Sequence, residues 1–116
     1  ILSDKNFLVS ANKYNKILPN HPSIILFSIG SDGHIASIFK NSKALKTKKK
    51  IIYEKKKYKK FERISISLNY LKSKKNIFLL CKGRKRLNMF LKLVKKKEEI
   101  LNSLYVVNSK FKLLII

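Results

Sequence analysis

The feature that most restricts the fold is an apolar run that stops on glycine. Ser23-Ile-Ile-Leu-Phe-Ser-Ile29 is followed at once by Gly30-Ser-Asp-Gly-His34. A near-continuous Ile/Leu/Phe run of this length reads as a strand buried on both faces of a parallel sheet. In open α/β sheets, ligands bind outside the carboxyl ends of the strands, and the glycine loop stands at such an end. Two glycines let backbone approach a ligand closely, and amides at the start of a following helix can hold an oxyanion. The spacing predicts a helical turn over Ile35 to Phe39.

The rest of the chain supplies matching elements. Ser3 to Leu18 reads as a helix, with Ser3 or Asp4 as cap and Phe7, Leu8, Ala11, Tyr14, Ile17 and Leu18 at helical spacing. Pro19-Asn-His-Pro22 breaks it, and His21 in that breaker reads as a solvated turn residue. Lys40 to Lys60 is lysine-rich, and reads as an exposed loop around one short strand at Ile51 to Tyr53, its charges a solvated face. Arg63 to Leu68 alternates apolar and polar, as a strand with one wetter face does. Tyr70 to Lys75 reads as a short helix and Asn76 to Cys81 as a second buried strand. A helix follows from Lys82-Gly-Arg-Lys-Arg86 to about Lys97, with Leu87, Phe90, Leu91 and Val94 as its apolar stripe. Leu104 to Val107 and Phe111 to Ile116 are candidate last strands, the terminal run having an irregular tail as its alternative. Strands alternating with helices give an α/β class, a mainly parallel, Rossmann-like sheet flanked by helices.

The chain has 116 residues, the size of one small domain, and a net charge of +22 from 28 basic and 6 acidic side chains. That balance suggests a polyanion partner. Yet only Arg63, Arg84 and Arg86 are arginine, the residue that base readers and phosphate clamps favour. Abundant Lys, Ile, Asn and Phe fit an AT-rich genome, so the charge calls for no specific nucleic-acid partner. No apolar run approaches the roughly 18 residues of a membrane span, so no membrane partner is expected. Cys81 is the single cysteine. No intrachain disulfide is possible, and a reducing, cytoplasmic setting is expected. Cys81 itself reads as a small core residue.

Within Gly30 to His34 the loop delivers a carboxylate, Asp32, and an imidazole, His34, two residues apart. Histidine titrates near neutrality and suits a general base. A Gly-Asp-Gly turn between strand and helix is nevertheless common, and the loop alone leaves open whether His34 is a catalyst or a turn residue. No His/Cys/carboxylate cluster has metal-ligand spacing, and no metal or cofactor is expected.

The stretch Ile25-Leu-Phe-Ser-Ile-Gly-Ser-Asp-Gly-His-Ile-Ala-Ser-Ile-Phe39 resembles the signature of the 6-phosphogluconolactonases, an apolar strand followed by Gly-x-Asp-Gly-His-Thr-Ala-Ser-Leu-Phe. Three neighbours agree in order: Ala11-Asn-Lys-Tyr14, Glu62-Arg63-Ile-Ser-Ile-Ser, and Ile77-Phe-Leu-Leu-Cys-Lys-Gly83 with Arg86 after it. The similarity runs over roughly residues 8–107. Glucosamine-6-phosphate deaminases share Gly-x-Asp-Gly-His but carry a catalytic glutamate where this chain has Phe39, which cannot transfer protons.

The resemblance implies hydrolysis of 6-phospho-D-glucono-1,5-lactone, the sugar-phosphate lactone of the oxidative pentose phosphate pathway. His34 would activate water, Asp32 would orient it, and Gly30 and Gly33 would give backbone approach. Arg86, at a helix opening, and Arg63, at a strand start, would contact phosphate. A surface or inter-strand ion pair with Glu54 or Glu62 is the alternative for Arg63. Departures are Ser28 for a glycine, Lys40 for a proline, loss of the proline before the Arg63 strand (Lys60 and Phe61 stand there), Leu71-Lys-Ser-Lys74 for Leu-Asn-x-Ala, and Arg86 for a lysine. A full family member is about twice this length. Residues 1–116 are therefore expected to be the C-terminal part of one such domain, without a complete site when alone, and a fused or adjoining glucose-6-phosphate dehydrogenase is the candidate neighbour. The alternatives are a basic nucleic-acid-binding fragment, with Tyr53 and Tyr58 among lysines, or an inactive lactonase remnant.

Overall fold

A computed structural model describes residues 6–55, 61–96 and 111–116. Its helices are α1 (Phe7–Ile17), α2 (Leu68–Lys72) and α3 (Arg84–Lys96). Its strands are β1 (Ile25–Ser28), β2 (Ile51–Glu54), β3 (Arg63–Ile66), β4 (Ile77–Cys81) and β5 (Phe111–Ile115). The strands form a parallel sheet in the order β1-β4-β5 and an antiparallel pair β2-β3. This is the expected α/β class. Leu104 to Val107, Tyr58 and the proposed caps Ser3 and Asp4 lie outside the described residues; α1 is capped instead by Asn6, whose side chain accepts from Leu8 N and Val9 N.

In the parallel sheet, register sets Ile25 beside Ile77 and Phe27 beside Leu79. Ile25, Ile77, Leu79 and Cys81 are buried, and with Ile29, Ile35, Ile38, Phe90 and Leu93 they belong to one core cluster. The opposite face is different. Leu26 is 59% exposed and Leu114 41%, so β1 is not buried on both faces as its composition suggested.

Three local readings are corrected. Ile35 to Phe39 forms no helix: Ile35 makes isolated bridges to Ile29 and Ile38, and Ala36 takes φ 51°. The segment is a turn that drives two isoleucines into the core, and Ser37 N donates to Ser65 Oγ (3.1 Å). No helix start is available there for an oxyanion. On β3 the expected wetter face is the buried one. Ser65 and Ser67 are buried while Ile64 and Ile66 are half-buried, because the backbone satisfies both hydroxyls. Ser65 Oγ donates to Ile66 O, and Ser67 Oγ accepts from Tyr70 N as the cap of α2. On α3, Phe90 and Leu93 are the buried pair; Leu91 and Val94 stay exposed.

Polar side chains fix the breaker and the hairpin. Asn15 on α1 acts as a strand partner for Ile51: its Oδ1 accepts from Ile51 N (2.8 Å) and its Nδ2 donates to Ile51 O (2.6 Å). Lys50 Nζ donates to Leu18 O, Tyr70 Oη to Pro19 O and Lys74 Nζ to Asn20 O. Lys50, read as part of a solvated face, thus ties the hairpin to the end of α1, where a cation also suits the helix dipole. Among the described residues no helix is long and apolar enough to cross a membrane.

Asn15→Leu keeps the branched shape but strands a part-buried N–H and C=O of Ile51. Its expected cost is about 1–3 kcal/mol, read from the shift of the denaturant midpoint at constant slope.

Candidate active site

The loop after β1 closes on itself: Gly30 N donates to His34 O (2.8 Å) and Gly33 N to Gly30 O (3.0 Å). These two bonds turn the chain back, so that the side chains of Asp32 and His34 meet. His34 Nδ1 lies 2.5 Å from Asp32 Oδ1. The imidazole side chain is 29% exposed and the carboxylate 47%. Burial alone would raise the Asp32 carboxyl, but the hydrogen bond and charge of His34, with the backbone N–H groups of Asp32 and His34, hold it below the ordinary 3.8. An ionised carboxylate only accepts hydrogen bonds. The proton between them therefore sits on Nδ1, and a neutral ring keeps its lone pair on Nε2.

The glycines have separate reasons. A Cβ at Gly30 would stand 2.5 Å from His34 Cε1 and Nδ1 and 2.7 Å from Asp32 Oδ1, so the pair occupies the space that a side chain would need. Gly33 takes φ +92°, and a Cβ there would meet Leu93 Cδ1 at 2.6 Å. It provides the left-handed turn and the close seat of α3 together.

Arg63 comes to the loop from the hairpin. Its guanidinium carbon lies 4.9 Å from the centroid of Phe39, whose ring is 4.4 Å from the His34 ring, centroid to centroid, at a 33° tilt. Of the carboxylates foreseen as ion-pair partners for it, Glu54 stands opposite Arg63 in the β2–β3 register and accepts from Ser42 Oγ and Lys43 N, and Glu62 accepts from Tyr53 Oη. Arg86 stands in the first turn of α3, near enough for its charge to lower the Cys81 thiol, against burial that raises it further. It precedes Leu93 by seven residues on the same helix face, two turns or about 10 Å along the helix axis. The structure thus joins Gly30, Asp32 and His34 directly and brings Arg63 in through Phe39; Gly33 borders α3 through Leu93, and Arg86 lies within α3. Phe39 is the residue that sequence reasoning missed, having been weighed only as the absence of a glutamate. The missed signal was an aromatic five residues after His34 in a segment read as helix.

The family profile of glucosamine-6-phosphate isomerases/6-phosphogluconolactonase matches residues 3–113. The chain belongs to this family. No curated protein matches it by sequence. Among solved structures it is similar to the 6-phosphogluconolactonase of Thermotoga maritima at 18% identity, with a TM-score of 0.74 over 92% of this chain and 50% of that one. For the enzyme of Shewanella baltica the values are 17%, 0.75, 97% and 52%, and for that of Trypanosoma brucei 20%, 0.65, 92% and 48%. These likenesses show the shared family fold, and the chain spans about half the length of the solved relatives it matches.

The depressed Asp32 value gives a signed prediction. The pair's contribution is complete above 3.8, where a free carboxylate is ionised, and is lost as pH falls through the lower folded value. A carboxyl-carbon NMR titration should place the Asp32 midpoint below 3.8. In Gly30→Ala the methyl displaces the ends of both side chains, and the midpoint should rise toward 3.8 with little change in stability.

Proposed function

We propose that this chain carries the catalytic loop of a 6-phosphogluconolactonase, which hydrolyses 6-phospho-D-glucono-1,5-lactone to 6-phosphogluconate. The observation that carries the reading is the Asp32–His34 pair, seated in the space left by Gly30 at the end of a parallel strand. It supplies an imidazole with a fixed tautomer and an available Nε2, the group that a positioned water needs. His34 takes a proton from water as the oxygen adds to the lactone carbonyl. The tetrahedral intermediate then breaks its bond to the ring oxygen, which receives the proton back from the imidazolium. Asp32 keeps Nδ1 protonated throughout and offsets the charge of the imidazolium. Gly30 and Gly33 allow substrate to approach the loop, and Arg63 and Arg86 are the proposed phosphate contacts. Deaminase chemistry is disfavoured because Phe39 stands where that branch of the family uses a carboxylate.

The nucleic-acid reading has less support. Tyr53, one of the two aromatics it needs, is stacked on Phe7 with centroids 6.5 Å apart, and its hydroxyl is bonded to Glu62. Those contacts compete with base stacking.

The test is turnover in the polypeptide that carries this chain, with spontaneous lactone hydrolysis subtracted. 6-Phosphogluconolactone should be hydrolysed and no ammonia released from glucosamine 6-phosphate. His34→Asn should lower turnover by about 10²–10⁴-fold while KM changes less. Near-wild-type turnover in a folded His34→Asn protein would make the histidine structural and refute the mechanism.

A further inference from the structure

A hydrogen bond to Asp32 fixes one edge of the His34 imidazole but not its plane. The outer torsion of histidine is broad and roughly two-fold, and Asp32 itself sits half in solvent on the same loop. A second contact is needed to aim Nε2 in one direction. Phe39 makes that contact, with its ring at 4.4 Å from the imidazole. The same ring carries the Arg63 guanidinium at 4.9 Å. The imidazole and the guanidinium therefore share one aromatic ring as a common support.

The support beneath Phe39 is rigid. Ile35 and Ile38 are buried, at 1% and 2% exposure, and pair with each other through the turn hydrogen bond from Ile38 N to Ile35 O (2.9 Å). The carbonyl of Phe39 accepts from Ser42 N (3.0 Å), which holds the chain on its far side. Phe39 is thus fixed from both directions along the backbone, while its ring contacts a group from the β1 loop and a group from β3.

We propose that Phe39 is a positioning residue for the lactone site, its ring setting the plane of the His34 base and seating Arg63. The assignment rests on the reading of His34 as the base. It gives the turn from Ile35 to Phe39 a function that a helix there would not serve.

The experiment uses NMR of the 116-residue chain, in which His21, exposed in the Pro19 to Pro22 turn, is an internal reference. His34 ring protons should resonate upfield of those of His21 because of the Phe39 ring current. The His34 side-chain nitrogens at alkaline pH should show one tautomer, protonated on Nδ1. Phe39→Leu should bring the ring-proton shifts to those of His21 and replace the single set of NOE contacts of the His34 ring by those of a reorienting ring, with Nδ1 still protonated and the backbone resonances of β4 unchanged. Phe39→Tyr should restore both signatures. If Phe39→Leu leaves the His34 signals in place, Asp32 alone positions the ring and the proposal is wrong. If that variant does not fold, the wild-type and Phe39→Tyr spectra decide, since absence of the upfield shift in either refutes the stacking. These readouts do not depend on turnover. A stacked, single-tautomer His34 in a protein without lactonase activity would therefore refute the function while leaving the positioning intact. With activity present, Phe39→Leu should lower kcat by up to about 10²-fold while KM changes less, the pattern of a misaimed base.

Discussion

The site depends on an absence of atoms at Gly30. Every other residue at that position would place a Cβ inside the contact distance of both His34 and Asp32. The requirement is one of space, separate from the left-handed backbone that Gly33 supplies. Because the same glycine donates its N–H to His34 O, the loop is closed by the residue whose missing side chain makes room for the pair. Strand, turn and chemistry are therefore coupled within five residues, and α3 seals the arrangement by resting Leu93 against Gly33.

Around that loop, polar groups carry much of the positioning. Asn15 completes the hydrogen bonding of Ile51, so α1 and the hairpin move as one unit, and the hairpin delivers Arg63. Glu54 is 5% exposed, yet its carboxylate is used by Ser42 Oγ and Lys43 N at the 3-10 turn Lys43–Leu45. A buried carboxylate without such donors would be costly to desolvate; with them it fixes the loop that follows Phe39. Lys74, only 9% exposed, lies over Tyr70 at 4.5 Å and donates to the breaker. Ring and carbonyl together replace the water that the ammonium loses.

How much of this was legible in the sequence depended on whether the information was local. β1, β4 and the loop between Gly30 and His34 were legible because an unbroken apolar run and two glycines restrict the backbone without help from elsewhere. The helix expected over Ile35 to Phe39 was not, because its isoleucines are claimed by the core and Ser37 by the β3 strand. On β3 the serines face inward because backbone groups satisfy them, local ones at Ile66 and Tyr70 and a distant one at Ser37. Tertiary override of the local pattern explains α3 as well: Leu93 rather than Leu91 is buried because Gly33, sixty residues earlier, has no side chain. His34 and Asp32 could be proposed from spacing. Phe39 could not, since its role exists only once β3 has brought Arg63 across the loop.

The charge of the chain acquires a sharper meaning in this setting. A net charge of +22 attracts any anion to the whole surface and so gives encounter without selectivity. Selectivity requires a cation held in one orientation. Lysine, a compact charge on a flexible stem, serves here where direction matters less, as at Leu18 O and Asn20 O, each a single acceptor. Arg63 is different in kind: a planar guanidinium can lie flat on Phe39 and still present its edge to an anion, which an ammonium cannot do. With three arginines among 28 basic residues, one resting on the ring that stacks the proposed base is where anion recognition and proton transfer can be set relative to each other. A lysine at position 63 would keep the charge and lose that geometry, so the coupling between the two halves of the site depends on the shape of the cation more than on its sign.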